Sequence, residues 1–259
     1  MNDEELLKYN RRAWDHQVDL GDRWTVPVDT DVIAAARQGE WSVLLTPVQP
    51  VTRDWFPSSM DGVRVLGLAS AGGQQCPVLA AAGAEVTSYD QSPKQLGQDA
   101  HVAEREGLSI RCIEGDMRDL SALDDDSFDL VFHPVSNCFV PDIRRVWLEA
   151  ARVLAPGGVL LAGFINPLYF LFDDAALDRD EFVIRYRVPY DDREQLDSAS
   201  LDSMTARDEP LCFGHTLEDQ LAGQLEAGLV ITDLYEDRWG GKPVDARIAT
   251  FMATRALKR

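Results

Sequence analysis

The chain lacks the residue patterns that mark several classes of protein. Its 259 residues include only four cysteines, and no two of them have the Cys-x-x-Cys spacing of a zinc or redox motif. The four histidines are equally scattered, so the sequence predicts no metal site. Cysteines without paired spacing favour free thiols in a reducing compartment, and we therefore expect a cytoplasmic protein.

Basic residues and long apolar runs are also scarce. There are 25 Lys and Arg residues against 44 Asp and Glu, which gives a net charge of −19. So acidic a surface repels nucleic-acid phosphates and anionic membranes. No apolar run approaches the roughly 20 residues that cross a bilayer, and the first residues lack the apolar core of a signal peptide. We expect neither a nucleic acid nor a membrane partner, and the sequence does not indicate an oligomeric state.

What the chain does contain is a strand–loop–helix–strand pattern over residues 63–90. Residues 63–68 are a short apolar run that predicts a buried parallel strand. The small side chains of 69–73 then allow a sharp turn into a helix predicted at 74–82. A second strand over 85–90 ends at Asp90. This order is typical of the nucleotide-binding half of a doubly wound α/β fold, in which the acid accepts hydrogen bonds from ribose hydroxyls.

Strands and helices continue to alternate along the rest of the chain. Further strands are predicted at 109–114, 128–133, 159–164, 230–235 and 248–255, and further helices at 93–106, 142–153 and after Thr216. We expect a helical and irregular lid segment at 1–60, with helices at 4–20 and 31–38, followed by one α/β domain at 61–259. Residues 165–215 interrupt the alternation. They predict a cap inserted after strand five, with a strand-like stretch at 182–190.

Four landmarks make residues 60–257 resemble the class I S-adenosylmethionine-dependent methyltransferases, in the small-molecule branch. They are the loop 65–73, Asp90, the sequence Gly-Asp-Met at 115–117, and the block from 128–131 to the Pro-Gly-Gly at 156–158. Asp90 lies 17 residues beyond Gly73, and Asp116 lies 26 beyond Asp90. The resemblance implies a Rossmann-like, doubly wound, seven-stranded sheet, mostly parallel with an antiparallel last strand. It also implies S-adenosyl-L-methionine as the cofactor.

The resemblance further implies which residues bind the cofactor. The loop would hold the methionine portion, Asp90 the ribose, and Asp116 with Met117 the adenine; alternatively, Asp116 is a loop acid beside Arg118. The predicted cofactor-binding residues are Ala69, Ser70, Ala71, Gly73, Gln74, Gln75, Asp90, Gln91, Ser92, Asp116, Met117, His133 and Pro134.

The loop departs from the family's usual sequence. Gly67 stands where the family has an acid that helps to fix the loop and the methionine ammonium, and Ala69 and Ala71 stand where it has glycines. Because alanine disfavours positive φ, we expect both alanines to have ordinary backbone dihedrals. We also expect Gln74 and Gln75 to supply amide hydrogen bonds that compensate for the missing acid.

Two interpretations of His133 remain open, since it lies at the carboxyl end of strand four. Histidine can remove a proton near neutral pH, which would make it the catalytic base. It could equally be a positioning residue, because alignment supplies much of the acceleration in an in-line methyl transfer. Residues predicted to bind the acceptor, or else to pack within the lid and cap, are Tyr9, Trp14, Asn137, Phe139, Phe170 and Tyr186.

Two other functions are compatible with the pattern. A non-catalytic S-adenosylmethionine-binding protein would keep the loop and Asp90 without turnover. A nicotinamide-dependent oxidoreductase would use a similar loop and acid, but the chain has no Gly-x-Gly-x-x-Gly motif, and Asp116 would have no role there. The sequence therefore predicts a methyltransferase that acts on a small molecule.

Overall fold

A computed structural model describes residues 1–259 and contains one seven-stranded sheet with helices on both faces. The strands are β1 (Arg64–Leu68), β2 (Glu85–Asp90), β3 (Ile110–Glu114), β4 (Phe128–His133), β5 (Leu154–Ile165), β6 (Tyr190–Asp191), β7 (Phe213–Gly214), β8 (Leu229–Asp237) and β9 (Phe251–Lys258). The order in the large sheet is β3-β2-β1-β4-β5-β9-β8, and β6 and β7 form a separate pair. In the large sheet only β9 runs in the direction opposite to the other six strands. The predicted mostly parallel sheet with an antiparallel last strand is confirmed.

The helices predicted at 4–20, 31–38, 74–82, 93–106 and 142–153 are present within one residue of those bounds, and three short helices within 165–215 were not predicted. The helices are α1 (Asp3–Leu20), α2 (Thr30–Arg37), α3 (Gln75–Ala81), α4 (Pro93–Glu106), α5 (Ile143–Val153), α6 (Asp174–Leu177), α7 (Asp192–Gln195), α8 (Ser198–Ala206) and α9 (Gly223–Glu226). Helix α4 shows the sequence signals at both ends: the Ser92 side chain accepts from Gln95 N–H, Pro93 opens the helix, and Gly107 ends it with φ 65°. None of the helices combines the length and apolarity required to cross a membrane.

The strand order reverses direction at β1, and this places a crevice at the carboxyl ends of the strands. β1 pairs with β2 on one side and with β4 on the other, both in parallel. Helices α2, α3 and α4 pack on one face of the sheet, in a core that includes Ile33, Leu79 and Val102. Helix α5 packs on the other face with Val146 and Trp147. Ligands of doubly wound sheets bind where the order reverses in this way.

Helix α1 is fastened to two distant segments near this crevice. The Asn10 amide donates to Phe139 O (2.9 Å) and to Leu211 O (3.1 Å), and its Oδ1 accepts from Leu211 N–H (2.9 Å). Asn10 is fully buried. One side chain therefore joins α1, the turn after β4, and the segment that enters β7.

The structure corrects two details of the expected strands. The stretch 182–190 is not a strand: it makes one isolated bridge, Phe172 to Ile184, and contributes only Tyr190 to β6. Its apolar residues alternate without a neighbouring strand to pair with, so Phe182 packs edge-on against Phe172 instead. Strand β5 begins at Leu154, earlier than expected, because the Pro-Gly-Gly turn forms a bulge inside it, with Gly157 at φ 82°.

Candidate functional site

A cavity of about 940 Å³ lies at the carboxyl ends of the strands and extends beneath residues 165–215. Most of the residues predicted from the sequence line it. They are Trp14, Ala69, Ser70, Ala71, Gln74, Gln75, Asp90, Gln91, Asp116, Met117, Pro134, Phe139, Phe170 and Tyr186. The fold therefore brings the predicted cofactor and acceptor residues into one continuous space.

The loop after β1 turns at Ala69, which has φ +47°. Its N–H still donates to Tyr89 O (2.8 Å), so the pairing of β1 with β2 continues up to this residue and the chain must turn immediately. The expectation of ordinary dihedrals is wrong for Ala69 and holds for Ala71, which is not among the positive-φ residues. A left-handed alanine costs about 1 kcal/mol, so this loop is held under strain.

Two glycines of this region are surrounded so closely that no side chain fits. A Cβ on Gly67 would lie 2.3 Å from Cys76 Sγ and 2.7 Å from Ser70 Oγ. A Cβ on Gly72 would lie 2.7 Å from Trp24 O and 2.9 Å from Gln95 Oε1. The acid that the family resemblance predicts at position 67 therefore has no room here.

Gln74 and Gln75 line the cavity but use part of their amides to hold the N-terminal segment. Gln74 Nε2 donates to Arg23 O (2.8 Å) and Val26 O (2.9 Å). Gln75 Oε1 accepts from Leu44 N–H (2.9 Å). Their proposed compensation for the missing acid remains a prediction.

Asp90 ends β2 with its carboxylate at the cavity wall. Ser92 N–H donates to Oδ1 (2.9 Å), and burial raises the pKa of the carboxyl from 3.8 to about 6 despite that bond. Ser92 itself lies outside the wall, where it caps α4 and donates from Oγ to Asp15 Oδ1 (2.6 Å). Asp90 is thus a partly desolvated acceptor at the end of the second strand.

Asp116 lies at the cavity wall and is also held by a neighbouring cation. Arg118 donates to both of its oxygens, from Nη2 to Oδ2 (2.7 Å) and from its backbone N–H to Oδ1 (2.9 Å). Met117 beside it is buried. Both interpretations of Asp116 therefore remain compatible with the geometry, since each carboxylate oxygen has further lone pairs to offer a ligand.

His133 does not reach the cavity. It is fully buried, its Nδ1 lies 2.8 Å from Leu68 O, and its Nε2 has no partner. Burial lowers the pKa of the imidazole to about 4. The ring stands edge-on to Trp147 at 5.9 Å rather than facing the open space. In this arrangement His133 is a neutral interior residue without access to an acceptor.

Three other predicted residues also lie outside the cavity wall. Tyr9 donates its hydroxyl to Glu209 O (2.7 Å), and the Asn137 amide donates to Gln220 Oε1 (3.1 Å). Gly73 is covered by Pro27, which lies 2.8 Å from the position of a Cβ. These residues hold the lid and the turn after β4 in place around the site.

Beneath residues 165–215 the cavity is an aromatic chamber that the sequence only partly indicated. Trp14 meets Phe139 edge-to-face at 5.0 Å, and Tyr190 lies 5.4 Å from Phe170 and 5.3 Å from Tyr186. Residues that the sequence did not single out also line it: Tyr169, Tyr190, Cys212, Trp239 and Phe251. The density of aromatic residues between 169 and 190 was the available signal. Trp239 and Phe251 come from distant segments, and no sequence signal indicated that they would line the chamber.

The cations that line the chamber all have partners within the protein. Arg185 Nη1 lies 2.6 Å from Asp173 Oδ2, and Arg207 Nε lies 2.7 Å from Glu209 Oε1. Lys242 Nζ lies 4.9 Å from the centre of the Trp239 ring, in a cation–π contact, and 3.9 Å from an Asp178 oxygen. The chamber therefore offers no unpaired positive charge to an anionic ligand.

The wall suits an adenosyl sulfonium in three respects. Asp90 is placed to accept hydrogen bonds from a ribose, and Trp14 presents an aromatic ring of the kind that attracts cations. Gln95 is 4% exposed and its Oε1 has no hydrogen-bond partner beside Gly72. A ligand with hydroxyl and ammonium donors would satisfy such an acceptor.

Comparison with known proteins agrees with this geometry. Residues 66–162 match a family model described as a methyltransferase domain. The chain is 47% identical over 253 residues to the uncharacterized methyltransferase YbaJ of Bacillus subtilis, a match that covers 98% of each protein. It is also similar in fold to an S-adenosylmethionine-dependent methyltransferase from Mesorhizobium loti (TM-score 0.60, 21% identity, 80% of this chain and 95% of that one).

A second solved structure, from Listeria monocytogenes, is described as a putative S-adenosylmethionine-dependent methyltransferase. It has a TM-score of 0.60 at 15% identity and covers 87% of this chain and 99% of that one. At these identities the two structures bear on the fold alone, while the YbaJ match extends over nearly the whole chain. The chain belongs to the S-adenosylmethionine-dependent methyltransferases, and S-adenosylmethionine is its methyl donor.

Proposed function

We propose that this enzyme methylates a small, largely apolar molecule that is neutral or cationic and that binds in the aromatic chamber. The chamber itself is the observation that carries the proposal. Ligand pockets usually measure about 300–1,000 Å³, and this cavity of about 940 Å³ is large enough for a donor and an acceptor together. The acceptor would lie between Trp14 and Phe139 on one side and Phe170 and Tyr186 on the other.

The proposed charge of the acceptor follows from the pairing of the chamber's ionic groups. Every cation in its wall already faces an anion or an aromatic ring of the protein. Asp192 is engaged as well, since Tyr190 donates to its Oδ1 (2.8 Å) and Cys212 N–H to its Oδ2 (2.6 Å). A carboxylate or phosphate on the acceptor would be desolvated without a partner, which costs several kcal/mol. A nucleic acid is disfavoured for the same reason and by the net charge of −19.

In the proposed arrangement the protein contributes alignment more than proton transfer. S-adenosylmethionine supplies an activated methyl group that moves to a nucleophile by in-line displacement. The loop 69–73 and Asp90 would fix the donor, and Phe139 with Trp14 would exclude water and limit the approach of the acceptor. His133 has no part in this arrangement, because its ring is buried away from the cavity. An acceptor that is already nucleophilic at neutral pH suits such a site.

A defined panel of compounds would test the proposal. Purified enzyme is incubated with isotopically methyl-labelled S-adenosylmethionine and with matched apolar amines, thiols, phenols and carboxylic acids, and products are identified by mass spectrometry. We expect label in neutral or cationic apolar compounds. Label only in anionic compounds, in polypeptide or in nucleic acid would contradict the proposal. Binding of S-adenosylmethionine without transfer to any compound would favour a non-catalytic binding protein.

Two matched variants would show whether the chamber holds the acceptor. Phe170 lines the cavity, whereas Phe182 lies in the same segment, packs against Phe172 and does not line it. We expect Phe170→Leu to raise the KM for the acceptor several-fold while the affinity for S-adenosylhomocysteine is unchanged. Phe182→Leu should alter neither. An equal effect of the two variants would show that the chamber is not the acceptor site.

A further inference from the structure

We propose that Asp99 on α4 is the positioning carboxylate of the cofactor loop and favours the ammonium group of the bound cofactor. In this role it would take the place of the acid that the family resemblance predicts at the end of β1. The inference rests on the proposed cofactor site and goes beyond it, because Asp99 is neither in the loop nor in the cavity wall.

The usual position of this acid is closed in the present chain. Gly67 faces Cys76 Sγ and Ser70 Oγ at distances that exclude even a Cβ. Those two atoms lie 3.4 Å from each other, and both residues are buried, so the space beside the strand end is already filled. A carboxylate that serves the loop must therefore come from another element.

Asp99 on α4 contacts the loop at its last residue, Gly73. Its side chain is fully buried, and its Oδ1 accepts from the backbone N–H of Gly73 (2.7 Å). Its Oδ2 has no hydrogen-bond partner. Gly73 is fixed by this bond and by the bond from Val28 N–H to Gly73 O (2.8 Å). Asp99 thus holds the last residue of the loop against the N-terminal segment.

The charge of Asp99 has no counter-charge within the protein. No Lys, Arg or His lies within ion-pair distance of it. A buried carboxylate without a cation is costly, and holding one N–H would require only an asparagine or a serine. We therefore explain the unpaired Asp99 carboxylate beside the loop by a cation, the cofactor ammonium, that binds on the cavity side of the loop.

Asp90 disfavours the ionised form of Asp99, whereas the nearby Cys76 and Ser88 side chains favour it. Three titratable groups surround Asp99. They are Asp90 at the end of β2, Cys76 on α3 and Cys112 on β3. Burial is the main reason that the pKa of Asp99 is raised to about 7, and Asp90 adds to it. About half of the Asp99 side chains are then protonated at pH 7 in the free protein. A bound ammonium would favour the ionised form and release that proton.

Isothermal titration calorimetry can measure this proton release. S-adenosylhomocysteine and 5′-methylthioadenosine share the adenosyl thioether, but only the former has an amino-acid end. Each is titrated at pH 7.0 in two buffers of different ionisation enthalpy. We expect S-adenosylhomocysteine to release up to about 0.5 proton more than 5′-methylthioadenosine. The ligand's own amine contributes equally to wild type and variant, so the comparison with a variant removes it.

Asp99→Asn is the corresponding variant, because it has the same shape, can still accept from Gly73 N–H and has no charge. We expect it to bind S-adenosylhomocysteine about tenfold more weakly, to bind 5′-methylthioadenosine within twofold of wild type, and to lose the additional proton release. Asp31→Asn makes the same change of charge at an exposed position on α2 and should alter none of these values.

Three results would overturn or redirect the inference. Equal loss of affinity for both ligands would show that Asp99 only supports the fold of the loop. Equal proton release from wild type and variant would remove the link to the ammonium. If the variant does not fold by circular dichroism, the wild-type comparison of the two ligands decides alone, and equal release overturns the proposal. Failure of the wild type to bind either ligand would instead refute the cofactor site.

Discussion

Replacing Gly67 by alanine should destabilise the protein through overlap with two buried side chains, most closely with Cys76. The new Cβ would lie 2.3 Å from Cys76 Sγ and 2.7 Å from Ser70 Oγ, whereas ordinary contacts begin near 3.4 Å. Cys76 is fully buried and Ser70 is 5% exposed, so neither side chain can turn into solvent. Overpacking of this kind costs about 1–3 kcal/mol, and we expect a value near the upper end for Gly67→Ala.

A double-mutant cycle measured by urea unfolding tests this explanation. Cys76→Ala alone should cost about 1 kcal/mol through the lost thiol. Because it also removes the obstructing sulfur, the free energies of unfolding of the two single variants should not add. We expect the double variant to recover at least about 1 kcal/mol of the summed loss.

The matched control is Gly97→Ala on α4. A Cβ at Gly97 meets nothing within 4 Å, and Gly97 is not among the positive-φ residues. Alanine should stabilise this helix position by about 0.5–1 kcal/mol. If Gly67→Ala is as stable as wild type, or if the cycle is additive, the contact with Cys76 is not what keeps residue 67 a glycine.

Four further outcomes are expected. Asp90→Ala should weaken S-adenosylhomocysteine binding about 100-fold. The pKa of Asp90 is about 6, and protonation removes a hydrogen-bond acceptor, so the wild-type affinity measured by calorimetry should fall as the pH decreases through 6. The variant should not show this pH dependence. Asp99 has a pKa of about 7 in the folded protein against 3.8 ordinarily, so the stability it contributes is complete below pH 4 and is lost as the pH rises through 7. Between pH 5 and 8 the free energy of unfolding of Asp99→Asn, measured in urea, should therefore rise by about 3 kcal/mol relative to wild type, and a constant difference would contradict this. Ala69→Val should cost more than 2 kcal/mol because a β-branched residue resists φ +47°, while Ala69→Gly should stay within about 1 kcal/mol of wild type by thermal unfolding. The ring protons of His133 should show no titration above pH 5 in NMR spectra, and an inflection between pH 6 and 7 would refute its burial as a neutral ring.

Local sequence signals were sufficient for most of the secondary structure and for the loop and Asp90 that line the cavity. Short apolar runs marked β1, β2 and β4 because central parallel strands are buried on both faces. Ser92 with Pro93 marked the start of α4, and the acid at the end of β2 marked Asp90 as a site residue. In a doubly wound sheet, chain order alone determines which strand ends meet, so such residues could be placed without coordinates.

The acceptor end was less predictable, because its residues come from segments without a repeating pattern. The alternation at 182–190 resembled a strand, but a strand requires a partner, and the folded chain provides only one bridge there. His133 was correctly placed at the end of β4, yet the direction of its side chain depends on packing against Trp147 and on the carbonyl of Leu68. Sequence position does not determine such a direction when both faces of a strand are buried.

The sequence by itself thus determined the fold class, the membership of the family and the acid at the end of the second strand. These features depend on the order and periodicity of neighbouring residues, which the chain carries directly. Only the tertiary structure decided that Cys76 closes the space at Gly67, that Asp99 reaches Gly73, and that Trp239 and Phe251 complete the chamber. Those relations join residues far apart in the chain, and the packing of helices against the sheet fixes them.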